Sequence, residues 1–413
     1  MKHPLIPIFL IVLVDILGMT LIMPLLPFYA EHYGATPVVV GLLVSSYAAC
    51  QLISGPVIGR MSDRIGRKPL LIVSQIGTFI GFLILAFSGS LWMIFVSRII
   101  DGCTAGNISL AQAYIADVTK PEDRARSFGV LGIAFGLGFL VGPGVSGYLS
   151  QFGIHVPILA AAGLSATSIL ATTFLLPGGA PPQAPEAEGD ALPVPRRQGV
   201  FDWQQYSVYF RRPVLAKYLW EFFLYAATFA TFMSGFALFA ERQYTYQGHP
   251  FGPKEIGYIL TYVGFLGVIM QGGLIGRLVR AFGEKKLVTM GLATLVIAYG
   301  LLGFTHTILE LLVVSTISSF GNGVLRPALT SLITQAAGRH EQGVVLGITQ
   351  SLMSIAQIVS PGLAGLLIQR HYLVGWSMMA ATAALLGLIL NVQRRTSAID
   401  TQLASTEPQS HLK

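Results

Sequence analysis

Runs of about twenty apolar residues, the length that crosses a bilayer as an α-helix, recur along this chain between short polar stretches. Twelve such runs lie near residues 5–29, 38–58, 70–88, 91–113, 127–149, 156–176, 215–239, 255–276, 286–305, 308–333, 343–367 and 373–392. The connections between runs 3 and 4 and between runs 9 and 10 are very short, which makes those pairs antiparallel neighbours. The first run is too long for the apolar core of a secretory signal and lacks a small-residue cleavage site, so it reads as the first membrane helix.

One stretch breaks the pattern. Gly178–Pro195 is rich in Pro, Ala, Gly and Glu without apolar periodicity, which predicts a flexible linker. Phe201–Arg212 mixes aromatic and basic residues in a way that suits the inner membrane surface. The expected organisation is an N-terminal six-helix bundle over 1–176, a cytoplasmic linker with an interfacial helix over 177–214, a C-terminal six-helix bundle over 215–392, and a cytoplasmic tail over 393–413. The halves echo one another. Phe28-Tyr29-Ala30-Glu31 closes run 1 and Leu238-Phe239-Ala240-Glu241 closes run 7. Ile58-Gly59-Arg60 and Gly66 return as Ile275-Gly276-Arg277 and Gly283, and Gly142-Pro143 returns as Pro361-Gly362. The fold expected is all-α and membrane-integral, with twelve transmembrane helices in two pseudo-symmetric six-helix bundles. Repeated halves of this kind point to a transporter with its site between them near the midplane.

Composition agrees: 53% of residues are hydrophobic and 11% charged, and mean hydropathy is +0.66. Charge placement tests the layout. Of 26 basic residues, 21 fall in the tails and in the loops of one side, three (Arg242, Lys254, Arg370) on the other, and two (Arg98, Arg326) inside spans. Basic loops stay on the cytoplasmic side, which predicts a multi-pass protein of the inner (plasma) membrane with both termini in the cytoplasm. The net charge of +7 is therefore loop charge, and no nucleic-acid partner is expected. Cys50 and Cys103 both lie in apolar runs, so neither a disulfide framework nor a metal cluster is expected. No phosphate-binding glycine loop, nucleophile constellation or cofactor motif occurs. The expectation is a carrier rather than an enzyme, without cofactor or metal, sufficient as a monomer.

The stretch Gly59-Arg60-Met61-Ser62-Asp63-Arg64-Ile65-Gly66-Arg67-Lys68 is predicted as a charged loop whose two glycines permit a tight turn. It is similar to the signature that the major facilitator superfamily carries between its helices 2 and 3. Arg98-Ile-Ile-Asp101-Gly102 resembles that family's conserved-arginine motif, and Gly138-Phe-Leu-Val-Gly142-Pro143-Gly144-Val-Ser-Gly147 its antiporter motif. Asp15-Ile-Leu-Gly18 through Pro24-Leu-Leu-Pro27, Tyr114-Ile115-Ala116-Asp117, Gly283-Glu284-Lys285 and Glu341-Gln342-Gly343 resemble the drug/proton antiporter branch, of which tetracycline-resistance efflux proteins are examples. The resemblance implies proton-coupled export of a small amphipathic compound or drug by alternating access, as in antibiotic resistance and multidrug efflux. It also implies a conformational latch of Gly59, Asp63, Arg64, Gly66, Arg67 and Asp117 favouring the outward-open state, and an antiporter element of Gly138, Gly142, Pro143 and Gly147. This chain departs from tetracycline exporters at Gly81 and Leu295, where they carry acids, and it has Arg280 where the first half has Asp63.

A charge at the helix centre costs about 2.5–3.5 kcal/mol on insertion scales, so charges inside spans are candidates for chemistry. Asp15, Asp101 and Glu221 are the candidates for proton coupling, because a carboxylate held from water exchanges its proton in a range that a proton gradient spans. For Asp101 a second reading is the counter-ion that holds Arg98, three residues away on one helix face. For Glu221 it is a side chain reaching the cytoplasmic surface. Arg326 either reaches the interface or offers a positive group to an anionic substrate. Arg98, Tyr47, Gln51, Asn107, Gln112, Tyr225, Gln271, Asn322, Arg326 and Gln357 are the candidates for an amphipathic substrate cavity. Two alternatives stay open beside drug export: a carrier for a specific metabolite, siderophore or lipid-like molecule, and a membrane sensor that moves nothing.

Overall fold

The computed structural model describes residues 5–119, 124–177, 203–338 and 341–406. Of the expected linker, residues 178–202 lie outside the described residues, as do 407–413 of the tail and the basic residues Lys2, Lys120 and Arg339. The first half comprises α1 (Leu5–Ile22), α2 (Leu26–His32), α3 (Pro37–Ile65), α4 (Arg67–Ala86), α5 (Leu91–Cys103), α6 (Asn107–Val118), α7 (Arg124–Leu149) and α8 (Val156–Leu175). After a surface helix, α9 (Trp203–Arg211), the second half comprises α10 (Pro213–Gln243), α11 (Pro253–Ile269), α12 (Ile275–Phe282), α13 (Glu284–Leu302), α14 (Ile308–Ala336), α15 (Gln342–Gln369) and α16 (Leu373–Thr406). A two-residue hairpin, Thr245–Tyr246 with His249–Pro250, links α10 to α11.

Ten of these helices, with α11 and α12 counted as one, are long and apolar enough to cross a bilayer; the bent pair α1/α2, angled by 43°, adds an eleventh. The twelfth is α5 with α6, each too short alone. The protein has twelve transmembrane helices in two pseudo-symmetric six-helix bundles. Run 4, predicted as one helix, breaks at Thr104–Gly106. Backbone groups freed in hydrocarbon need partners, and Ser74 of α4 supplies them: its hydroxyl donates to the Thr104 carbonyl and accepts the Gly106 N–H at 2.9 Å.

The charged stretch 59–68 is not the loop that the sequence predicts. Helix α3 runs through it to Ile65, and only Gly66 turns the chain, at φ 105° and ψ 154°, before α4 starts at Arg67. Gly59 is helical. Gly283 makes the same turn between α12 and α13, at φ 73° and ψ 154°. The turn therefore repeats at an interval of 217 residues, and glycine suits both sites because φ is positive.

We call the end of the molecule at Gly66 and Gly283 the basic end. At the opposite, far end the two bundles are pressed together along two helix pairs, α3 with α15 and α7 with α11. A Cβ on Gly41 would lie 2.2 Å from the Pro361 carbonyl oxygen, and one on Gly365 would lie 2.2 Å from that of Pro37. Ser45 Oγ donates to the Ile358 carbonyl at 2.6 Å. Gly257 and Gly264 of α11 approach the Pro143 and Phe139 carbonyls within 2.4 Å of such a Cβ. Arg242 of α10 crosses between the bundles to Glu31 of α2 at 2.6 Å and also holds Glu241 at 2.9 Å. Towards the basic end the same faces part. Gly59 lies on the face of α3 that carries Gly41, about five turns on, and a Cβ there would meet nothing within 4 Å. Gly347 stands in the same relation to Gly365 on α15 and is equally open. The molecule is closed at the far end and open at the basic end.

Replacing Gly365 with Val should wedge the far end apart. Overpacking costs about 1–3 kcal/mol, so a cysteine placed at buried Ser45, in a background lacking Cys50 and Cys103, should react about five- to a hundredfold faster with a membrane-impermeant maleimide. An unchanged rate would show that this helix pair is not the seal.

Candidate functional site

The charges inside the first bundle are held by polar neighbours. Asp15, on α1, receives a long 3.5 Å contact at Oδ2 from Gln75 Nε2 of α4, and the same nitrogen donates to Ser168 Oγ of α8 at 2.8 Å. Gln75 is fully buried, and its Oε1 has no hydrogen-bond partner among the described residues. The amide therefore presents a donor to Asp15, and its oxygen is unengaged. Arg98 Nη1 meets Asp101 Oδ2 at 3.2 Å, both side chains being buried on α5, and the guanidinium lies 5.8 Å from the Phe82 ring centre. This geometry matches the counter-ion reading of Asp101. Tyr47 of α3 lies within electrostatic range of both, and its backbone packs on Gly102.

Gly81, where the sequence departs from tetracycline exporters, explains itself here. A Cβ on it would approach the Asp101 Cβ at 3.1 Å and the Ser97 carbonyl at 3.2 Å. The space that a side chain on α4 would need is taken by the acid on α5. Leu295, the other departure, is fully buried and packs against Gly321.

Glu221 does not reach the surface, contrary to one reading above. It is fully buried on α10, 3.7 Å from Lys217 and 3.1 Å from Asn391 Nδ2 of α16. Asn391 in turn accepts from Thr289 Oγ1 of α13 at 2.7 Å. The polar partners of Glu221 thus belong to its own bundle. Arg326 is exposed on α14, and its guanidinium lies 6.0 Å from the Phe135 ring centre of α7 in the other bundle. Asn322, one turn earlier, donates to Tyr299 at 3.1 Å, and its Oδ1 is buried without a hydrogen-bond partner. Buried Tyr225 of α10 is within electrostatic range of Arg326.

The remaining polar candidates are spread along the spans. Gln51 donates to the Tyr47 hydroxyl at 3.5 Å. Asn107 opens α6 just beyond the break, and its Oδ1 is buried without a partner. Gln112 is exposed on α6, and Gln357 is half-buried on α15. Gln271 is exposed in a π-turn, Met270–Leu274, that separates α11 from α12.

The latch residues form a cluster within one bundle, not a bridge between two. Arg67 meets Asp63 at 2.6 Å and Asp117 at 2.8 Å, and it donates to Ser62 Oγ. Lys68 Nζ donates to the Thr173 and Leu176 carbonyls at 2.8 and 2.7 Å. Arg64 is exposed. These contacts tie the ends of α3, α6 and α8 to the start of α4, all in the first half, because the bundles are parted at this end. In the second half Glu284 takes the place of Arg67 and accepts from Ser331 and Gln335 at 2.6 and 2.8 Å. The antiporter-motif glycines of α7 work on two faces. Gly138 and Gly142 press on Ile16 and Thr20 of α1, and Thr20 Oγ1 donates to the Gly138 carbonyl at 3.1 Å. Gly144 and Gly147, with the Pro143 carbonyl, meet α11.

Sequence reasoning missed Gln75 and Ser168 beside Asp15, Asn391 beside Glu221, and the Glu31–Arg242 bridge. Gln75 and Ser168 are polar residues inside apolar runs and were open to the same test as Asp15. The other pairings join residues 170 and 211 positions apart, and no local pattern signals them.

Comparison with known proteins adds a direction. The chain matches the profile of the Major Facilitator Superfamily over residues 8–275 and again over 246–409. It is 30% identical over 365 residues to the class C tetracycline resistance protein of Escherichia coli, covering 85% of this chain and 86% of that one. It is 29% identical over 382 residues to multidrug resistance protein 2 of Bacillus subtilis (strain 168), covering 88% and 90%. Among solved structures, that of the human organic anion transporter MFSD10 (TETRAN) superposes with a TM-score of 0.70 at 23% identity, over 94% of this chain and 98% of that one.

Removing one member of a buried ion pair strands the other, at about 3–5 kcal/mol. Arg98→Gln alone should therefore destabilise the detergent-solubilised protein by about that amount, whereas Arg98→Gln with Asp101→Asn should lose much less. Thermal unfolding of the three proteins checks this, and equal losses would deny the pairing.

Proposed function

Because the chain belongs to the Major Facilitator Superfamily, we propose that it is a proton-coupled antiporter that exports a small amphipathic compound by alternating access. Family membership makes it a multi-pass membrane transporter of small molecules and not an enzyme. The finer reading rests on one observation: Asp15 sits on the membrane-spanning α1 in a polar set with Gln75 of α4 and Ser168 of α8. Its helix is packed by the antiporter-motif glycines Gly138 and Gly142 on α7, the helix whose other face seals the far end. A change at Asp15 therefore has a short mechanical route to the seal.

In this proposal the basic end faces the cytoplasm of an inner-membrane protein with both termini inside, and residues 177–214 tether two bundles over 1–176 and 215–392. A proton reaching Asp15 and a substrate leaving compete for one state of the carrier, which is what antiport requires. Asp101, held by Arg98, serves chiefly to keep that arginine in place. Glu221, held by Asn391 and Lys217, braces the second bundle. The relatives named as tetracycline and multidrug resistance proteins support export. A single chain suffices. A second reading, a carrier for a specific metabolite, siderophore or lipid-like molecule, is favoured by Gly81, Leu295 and Arg326, where this chain departs from tetracycline exporters.

Liposomes holding the full-length protein and a pH-sensitive dye test the proposal under an imposed proton gradient, with a panel of cationic, zwitterionic and anionic amphiphiles. Substrate-dependent proton flux is expected in the wild type and is expected to fall about a hundredfold or more in Asp15→Asn, within the range for loss of a positioned proton-transfer group. Substrate movement without proton flux would end the antiport reading. Unchanged coupling in Asp15→Asn would move the proton site elsewhere.

A further inference from the structure

Arg326 differs from the other intramembrane cations in what surrounds it. Arg98 has Asp101 at 3.2 Å, and Lys217 has Glu221 at 3.7 Å. Arg326 has no carboxylate within ion-pairing distance among the described residues, and its side chain is exposed. It lies ten residues before the end of α14 at Ala336, or about 15 Å at 1.5 Å per residue, within a hydrocarbon layer about 30 Å thick. A cation at that depth persists where it faces a water-filled cavity and has a task there.

Its contacts say which way it faces. The Phe135 ring, 6.0 Å away, belongs to α7 of the opposite bundle, and Tyr225 belongs to α10 of its own. Both helices border the region between the bundles, which is open towards the basic end. The arginine therefore projects into that space and not into lipid. Nearby, Asn322 leaves Oδ1 buried without a partner. The site combines a guanidinium fork, the aromatic ring of Phe135 and an amide, with the buried Tyr225 behind them. A planar guanidinium pairs with two oxygens at once, while the aromatic ring takes an apolar body.

We propose that Arg326 binds the oxyanion of the transported compound, so that the substrates of this carrier are soluble organic anions with an aromatic or otherwise amphipathic body. The inference rests on the carrier reading above and specifies its substrate class. It also gives a reason for the absence of a protein counter-ion: the substrate supplies it. With the substrate bound, the arginine is neutralised while the bundles close over it. With the site empty, the charge opposes closure of the basic end, since burying an unpaired guanidinium is costly.

Two permanently charged probes, 2-naphthalenesulfonate and 2-naphthyltrimethylammonium, test this. They share a ring system and differ in the sign of their charge, and neither crosses a bilayer unaided. Full-length protein is reconstituted in phosphatidylcholine vesicles, so that no anionic lipid headgroup is present to supply the oxyanion. The wild type should move the sulfonate at least about tenfold faster than the ammonium, as expected when one charge-assisted contact is made or lost. Arg326→Gln should bring sulfonate flux to the level of protein-free vesicles, and Arg326→Lys, which keeps the charge, should retain part of it and so exclude misfolding as the cause. Equal or faster movement of the ammonium, or undiminished sulfonate flux in Arg326→Gln, would overturn the anion assignment and leave the carrier reading standing. Movement of neither probe by the wild type, in either direction of the gradient, would overturn both.

Discussion

Hydrocarbon offers no partner to a polar group, and several irregularities in this chain carry their own compensation for that fact. Where α5 gives way to α6, Ser74 satisfies one backbone donor and one acceptor. Where Arg98 enters a span, Asp101 follows one turn later. Where Glu221 is buried, Asn391 and Lys217 hold it. Asp15 is held by two polar neighbours from other helices of its bundle, Ser168 and the amide of Gln75, whose second polar atom is unengaged. Helices held by short networks form rigid bodies, and motion is left to the contacts between bundles.

Those contacts are made chiefly of glycine and backbone. In a bilayer, helices gain nothing hydrophobic by meeting, so close backbone approach and hydrogen bonds do the holding. The face of α7 towards α1 stays within the first bundle, and its face towards α11 belongs to the seal. One helix thus connects the proposed proton site to the contact that must open. The bridge from Arg242 to Glu31 adds a charged tie at the far rim, where it remains partly in water.

The span count, the two-bundle plan and the basic end were legible in the sequence because each rests on a strong local signal: twenty-residue apolar runs, a repeat at 217 residues and clustered cations. The breaks were not. The bend between α1 and α2 contains Pro24, but Pro56, Pro143, Pro327 and Pro361 all lie within continuous helices, while the break at Thr104–Gly106 and the π-turn at Met270–Leu274 contain no proline. Tertiary partners such as Ser74 decide where the helix yields. The charged stretch at 59–68 misled for a related reason. Its polarity suggested a loop, yet a helix that has left the hydrocarbon can stay helical, and only Gly66 has the positive φ of a turn. Of the residues grouped as a latch, Arg67 meets Asp63 and Asp117 between helices of one bundle, which no spacing along the chain reveals.

The glycines of α3 and α15 carry a mechanical consequence. Each helix is notched on one face near both ends, at Gly41 and Gly59 and at Gly365 and Gly347, and only the far notches are engaged. Two rods cut this way can rock on each other like a see-saw, trading one set of notches for an equivalent set while the middle serves as fulcrum. The surface lost at one end resembles the surface gained at the other, which in the proposed alternating-access cycle brings the two tilts close in energy. That near-balance matters for the proton-coupled carrier proposed above. Swinging a population from 1:99 to 99:1 takes about 5.5 kcal/mol, and one charge crossing a 100 mV membrane supplies about 2.3 kcal/mol. A carrier whose two tilts differed greatly would stall against so small a push. In the proposed antiporter, the matched notches keep the two tilts within reach of a proton's work.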